Sequence, residues 1–333
     1  MRITKDLLMK YAHNAVDTRV RQDHHILCVY LTGSLLDEEP LIGGTTDIDL
    51  FFIHNDEPNT RHEIVPINED VHLDITHLSR QTFIHPRTLR TDPWLGSFLC
   101  HNPLQLHDTL HWFEFTQASV CAQFDQPEVT LQRAHIFSDD ARQTWAALRR
   151  GDFTGAPAAL LAYLQALEKA SNAIACLSGV PLTERRFMLQ FPQRAEAIGR
   201  PGLAAGLVDL FLSEEVSAEE WEKWLEAWKA SLAAAGQTKD FPTRLHPARQ
   251  AYYHRSVTVL ADDQPAAAVW VLLRTWTLAQ TCLSGPTHLQ PWQTACQALE
   301  LGEEHLSKRL DALDAYLDTI EESLDLWGKE AGV

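Results

Sequence analysis

Three aspartates and a Gly-Ser pair hold the residues best suited to chemistry. The stretch from Leu31 to Ile53 reads LTGSLLDEEPLIGGTTDIDLFFI. An apolar run ends in Gly33-Ser34, and a second run carries Asp47 and Asp49 between Ile48, Leu50 and Phe51. Alternate residues of a strand share a face, so Asp47 and Asp49 point one way while Ile48 and Leu50 point into a core. Two carboxylates on one rigid face repel each other, and a divalent cation relieves that repulsion. All-oxygen ligands of this kind suit Mg²⁺, which takes one or two carboxylates together with substrate phosphates. Glycine lets the main chain approach a ligand closely, and exposed N–H groups beside a serine hydroxyl suit a phosphate. Asp74, in VHLDITH, joins the same face if its strand pairs beside the DID strand. Three carboxylates facing a phosphate-binding turn make a two-ion site for in-line transfer.

The elements that must position these groups are legible. Residues 3–22 carry Leu7, Leu8, Tyr11, Ala12 and Val16 at helical spacing. Residues 26–32 (ILCVYLT) and 47–54 read as strands. Residues 62–67 and 71–77 flank Asn68, Glu69 and Asp70, which predicts a hairpin. A short fifth strand is expected over 103–107. From about residue 110 the pattern becomes helical. One helix carries Leu160, Leu164, Leu167, Ile174 and Leu177 and stops at Gly179. Another opens with Ser217 and Glu220 as a capping box, with Trp221, Trp224 and Trp228 on one face. Residues 247–283 read as two helices split near 262–264. The last helix repeats Leu306, Leu310, Leu313, Leu317, Ile320, Leu324 and Trp327 at alternating spacings of four and three, which suits a bundle stripe or a homodimer seam. The fold class is therefore α+β. A small mixed-sheet domain over 1–112 is followed by a larger all-α bundle over 113–333.

The set Gly33, Ser34, Asp47, Asp49 and Asp74, in that order along the chain, resembles the signature of the DNA polymerase β-like nucleotidyltransferase superfamily. The resemblance covers roughly residues 1–110. It implies two Mg²⁺ ions and a nucleoside triphosphate substrate. Asp47 and Asp49 would bind both ions, Asp74 the catalytic one, and Gly33-Ser34 the phosphates. The helical half is similar in layout to aminoglycoside nucleotidyltransferases, some of which take a general-base glutamate from it. Here the helix with Glu168, Lys169 and Asn172 is the expected contributor. Glu168 would serve as base, and Lys169 and Asn172 would contact the nucleotide; the alternative is a solvated polar face. Arg185 and Arg186, on a loop after a helix stop, would clamp the triphosphate or serve as surface charge. Asp37, Glu38 and Glu39 form an acidic bulge expected to loop into solvent.

Charge limits the partners. The net charge is −17, with −8 over residues 1–115 and −9 over the rest. Neither half offers the basic footprint that a phosphate backbone needs, so nucleic acid is disfavoured. A cationic small molecule, such as an aminoglycoside, fits better as the hydroxyl-bearing acceptor, and a protein hydroxyl is the other choice. The rival reading is a nucleotide-binding regulator without turnover. No apolar run reaches 18 residues, so no membrane span is expected, and the first residues lack a signal peptide's apolar region. The six cysteines, Cys28, Cys100, Cys121, Cys176, Cys282 and Cys296, have no CxxC spacing and read as reduced thiols of a cytoplasmic protein. His72 and His77 flank Asp74, but the sixteen histidines show no zinc-binding spacing.

Overall fold

The computed structural model describes residues 3–213 and 216–333. They form two compact units, Met1–Val129 and Thr130–Val333. The sequence suggested a division after residue 112. The first unit also includes the helix that begins at Trp112.

In the first unit, helix α1 (Lys5–Gln22) starts where the Thr4 hydroxyl accepts the Leu7 N–H. Its apolar stripe, Leu8, Ala12 and Val16, is buried. Strands β1 (Ile26–Thr32), β2 (Thr46–His54), β3 (His62–Pro66) and β4 (Val71–Ser79) follow. Then come two six-residue helices, α2 (Pro86–Thr91) and α3 (Leu95–Cys100), strand β5 (Leu104–Asp108) and helix α4 (Trp112–Cys121). The sheet order is β3-β4-β2-β1-β5. β3 and β4 form the expected antiparallel hairpin, while β2 and β4 lie parallel. β1 is buried along its whole length, as a strand covered on both faces must be. One face packs Ile48, Leu50, Phe52, Leu73 and Ile75 against the α1 stripe. The other packs Tyr30, Phe51 and Ile53 against Leu89, Leu99, Phe113 and Val120 of α2, α3 and α4. Helices α2 and α3 were not anticipated, because six residues are too few to show a 3.6-residue period.

A disulfide joins Cys100 to Cys121, tying the end of α3 to the end of α4. This corrects the expectation of six reduced thiols. A separation of 21 residues carries no pairing signal, and only the packing of two short helices brings the sulfurs together. With one disulfide present, the cysteines do not point to a cytoplasmic setting. Cys28, Cys176, Cys282 and Cys296 are free. Among the described residues no helix is long and apolar enough to cross a membrane.

The second unit is helical: α5 (Pro127–Arg150, whose first turn closes the first unit), α6 (Ala156–Ala175), α7 (Phe187–Ala197), α8 (Gly202–Phe211), α9 (Ala218–Ala235), α10 (Gln250–Asp263), α11 (Pro265–Cys282), α12 (Pro286–Ala298) and α13 (Leu306–Ala331). The split of α10 from α11 falls at Gln264, with Pro265 opening α11. α11 is apolar nearly all round and forms the centre, packed by α6, α7, α9, α10 and α12. The capping box of Ser217 and Glu220 is present. Trp224 and Trp228 are core, and Trp228 donates its indole N–H to Thr275. In α13, Leu310, Leu313, Leu317, Ile320 and Leu324 are buried within the unit, where α13 packs on α6 and α8. The heptad stripe is thus used inside one chain.

Candidate metal centre

β2 changes character along one face. Phe51 and Ile53 are roofed by α2–α4, while Asp49 and Asp47 continue the same face toward the strand's beginning. The parallel register sets Asp49 directly beside Asp74, and Asp47 beside His72. Paired residues of neighbouring strands point to the same side, so Asp74 joins the two aspartates of β2. Each of the three offers a carboxylate oxygen, and these oxygens lie within 4.8 Å of one another. Asp47 is buried, and Asp49 and Asp74 are half-buried. Among the described residues this is the group of three or more ligand-type side chains spaced to hold a metal ion. The donors are all hard oxygens, the set that fits Mg²⁺ or another hard divalent cation.

Gly33 completes the arrangement from β1. Thr32 sits opposite Asp49, and Gly33 follows with φ 79° and ψ −165°, a region open to glycine alone. A Cβ built there would lie 2.0 Å from Asp49 Oδ2. The main chain at Gly33 therefore runs against the carboxylate, and no other residue allows that approach. Ser34–Leu36 forms a single 3-10 turn, closed by the Leu36 N–H donating to Gly33 O and the Asp37 N–H to Ser34 O. Leu35 anchors the turn in the α1-side core. Lys5 of α1 caps it, its Nζ donating to Leu36 O at 3.1 Å and Asp37 O at 2.9 Å. Sequence reasoning missed Lys5, because a contact between residues 31 apart leaves no local trace. Asp37, Glu38 and Glu39 are exposed, as expected of an outward acidic loop. A tight turn at Gly43 and Gly44, both with positive φ, leads the chain back into β2.

The helical unit treats its expected site residues differently. Asn172 is 1% exposed; its Nδ2 donates to Leu182 O, and its Oδ1 accepts the Leu182 N–H. It pins the chain after α6 and has no surface for a nucleotide. Arg185 is 3% exposed, its guanidinium 3.3 Å from the Tyr252 ring centroid, with Nη1 donating to Tyr252 O. Both side chains are engaged in packing, and polarity at helical spacing or on a loop does not distinguish a ligand contact from a buried clasp. Lys169 pairs with Asp140 at 3.4 Å. Arg186 lies half-buried at the start of α7. Glu168 pairs with Arg274. Both line a small pocket with Glu184, Arg244 and Tyr253. Glu184 carries a positive φ of 40° and accepts from the Tyr253 hydroxyl at 3.0 Å and from Arg244 at 3.1 Å. Burial, with the Glu184 charge adding to it, pushes the Tyr253 hydroxyl well above its ordinary value.

In comparison with known proteins, no family model matches this chain and no curated protein matches it.

Proposed function

We propose that this chain is a Mg²⁺-dependent nucleotidyltransferase, related in fold and chemistry to the DNA polymerase β-like superfamily. It would transfer a nucleoside monophosphate from a nucleoside triphosphate to a hydroxyl and release pyrophosphate. The observation that carries the reading is the convergence of Asp47, Asp49 and Asp74 beside the glycine-only bend at Gly33. A structural core gains nothing from three clustered carboxylates, whereas transfer between polyanions needs cations held in place.

Asp47 and Asp49 would hold two ions, and Asp74 would add to the one nearer the acceptor. Mg²⁺ supplies charge neutralisation on the triphosphate and lowers the pKa of the attacking hydroxyl. The chain's own contribution is positional. The β2–β4 register fixes Asp49 and Asp74 side by side. Gly33 and Ser34 offer backbone and hydroxyl donors to phosphate oxygens, and Lys5 keeps their turn closed. The net charge of −17 favours a cationic small-molecule acceptor over nucleic acid. With Glu168 engaged by Arg274, the reading assigns no general base to the helical unit.

The test is a melting series with Mg²⁺ alone, ATP alone and both, together with pyrophosphate release on candidate acceptors. Metal and nucleotide should stabilise jointly, since each lowers the repulsion felt by the other. At a hundredfold excess over the dissociation constant the gain is about 2.7 kcal/mol. Asp49→Asn should abolish both the shift and transfer; Asp74→Asn should keep much of the shift and lose transfer. Absence of a joint shift with any of the common triphosphates would sink the reading. A joint shift without pyrophosphate release would favour a regulator.

A further inference from the structure

At the far ends of β2 and β4 from the aspartates, and on the sheet's other face, two imidazoles meet. His54 Nε2 lies 2.9 Å from His77 Nδ1. The outer nitrogens face carboxylates at longer range: His54 Nδ1 is 3.7 Å from Asp23 Oδ2, and His77 Nε2 is 3.5 Å from Glu63 Oε2. Both rings are largely buried, with side chains 11% and 13% exposed, and they line one open basin with Asp23, His25, Asp56, Glu57 and Glu63.

Proton counting limits what this row can do. A carboxylate only accepts, so each outer contact needs an N–H, and the inner contact needs one proton between two nitrogens. Three hydrogen bonds need three protons, but two neutral rings carry only two. A neutral pair fills the inner contact and at most one outer one. The inner 2.9 Å contact needs one N–H facing one bare nitrogen, which a neutral pair supplies. Two imidazolium rings would set N–H against N–H, so the inner bond must break.

We propose that His54 and His77 form a proton-operated latch between β2 and β4. The latch is closed by one shared proton when the pair is neutral. It opens when both rings are protonated, with His54 turning to Asp23 and His77 to Glu63. Each partner carboxylate is already held for this. Asp23 Oδ1 accepts the His25 N–H at 2.8 Å, and Glu63 Oε1 accepts from Arg19 of α1 at 2.9 Å. The surroundings set the sign. Burial disfavours charge on both rings; on His54 the His77 charge comes next, while Asp23 opposes and His25 adds to the lowering. On His77, Glu63 and Asp23 oppose the burial and Arg19 adds to it. On the loop, Asp56 pairs with His25, and Glu57 lines the basin. His62 of β3 is turned away, toward Thr76. Opening the latch would exchange a β2–β4 tie for ties to α1 and β3, at the opposite end of the strands that carry the aspartates.

The experiment is a long-range proton–nitrogen NMR titration of the ¹⁵N-labelled full chain from pH 8 to 4.5. At pH 8 the inner nitrogens should read as one donor and one bare acceptor. The two rings should then protonate in two steps, both below the ordinary histidine midpoint, separated by about one pH unit or more. His77→Gln should raise the His54 midpoint, and the surface variant Asp23→Asn should lower it. Two independent titrations at the ordinary midpoint in the wild-type chain overturn the latch, whether or not His77→Gln folds. So does a His54 midpoint that ignores Asp23→Asn.

Discussion

Replacing Gly33 by alanine tests the candidate centre without removing any ligand. The added Cβ would lie 2.0 Å from Asp49 Oδ2, where ordinary contact begins at 3.4 Å, so the carboxylate or the main chain must give by about 1.4 Å. Functional groups tolerate only about 0.5 Å of displacement before geometry is lost. Alanine at φ 79°, ψ −165° also carries backbone strain of about 1–3 kcal/mol. For a unit of this size that strain should lower the melting temperature by roughly 5–10 °C. Gly44→Ala separates the two effects. Gly44 has φ 74° in the same unit, but nothing lies within 4 Å of its built Cβ. Gly44→Ala should lose only the share due to backbone strain, and Gly33→Ala at least as much without ligands. Only Gly33→Ala should lose cation binding, by about tenfold or more, the size expected when support around a ligand is disturbed. Isothermal titration with Mn²⁺ and Mg²⁺, with and without ATP, reads this directly. If Gly33→Ala binds the cation as wild type does, or Gly44→Ala loses as much, the contact between Gly33 and Asp49 does not set the site.

Two further outcomes concern stability. Cutting the Cys100–Cys121 bond, by reduction or by Cys121→Ser, frees a loop of 21 residues and should cost about 3 kcal/mol. Melting curves of the wild type with and without a dithiol should show that loss, while Cys121→Ser should be indifferent to the dithiol. His254, packed edge-on against Trp228, is pushed down to about 4 by burial, with the Lys229 charge adding to it. The unfolded chain takes up that proton near the ordinary value of 6.5, and the folded chain only near 4. Stability should therefore fall as the pH drops through that window and level off below it. Urea midpoints measured from pH 7 to 4 should show this slope, and His254→Gln should flatten it.

Much of this protein is local in origin and was readable from the chain. The alternation in TDIDLFFIH sets two carboxylates on one face and an apolar stripe on the other, whatever the rest of the fold does. Ser217 with Glu220, the break before Pro265 and the turn residues between β3 and β4 act within a few residues, so the sequence shows them directly. What depended on distant partners was not legible. The meeting of Asp74 with Asp49 required β4 to slide in between β2 and β3, and that insertion is a property of the sheet. The sequence could name the pairing only as a condition. The 2.0 Å approach that makes glycine obligatory at position 33, and the Lys5 cap on its turn, belong to three elements at once. Asn172 and Arg185 have the same polarity whether they reach for a ligand or clasp a backbone. Only the tertiary structure shows them packed against Leu182 and Tyr252. The heptads of α13 likewise fit a partner chain or a neighbouring helix equally well in one dimension. Only the bundle shows Leu313 and Leu317 buried against its own helices, because an apolar stripe is satisfied by whichever surface excludes water first.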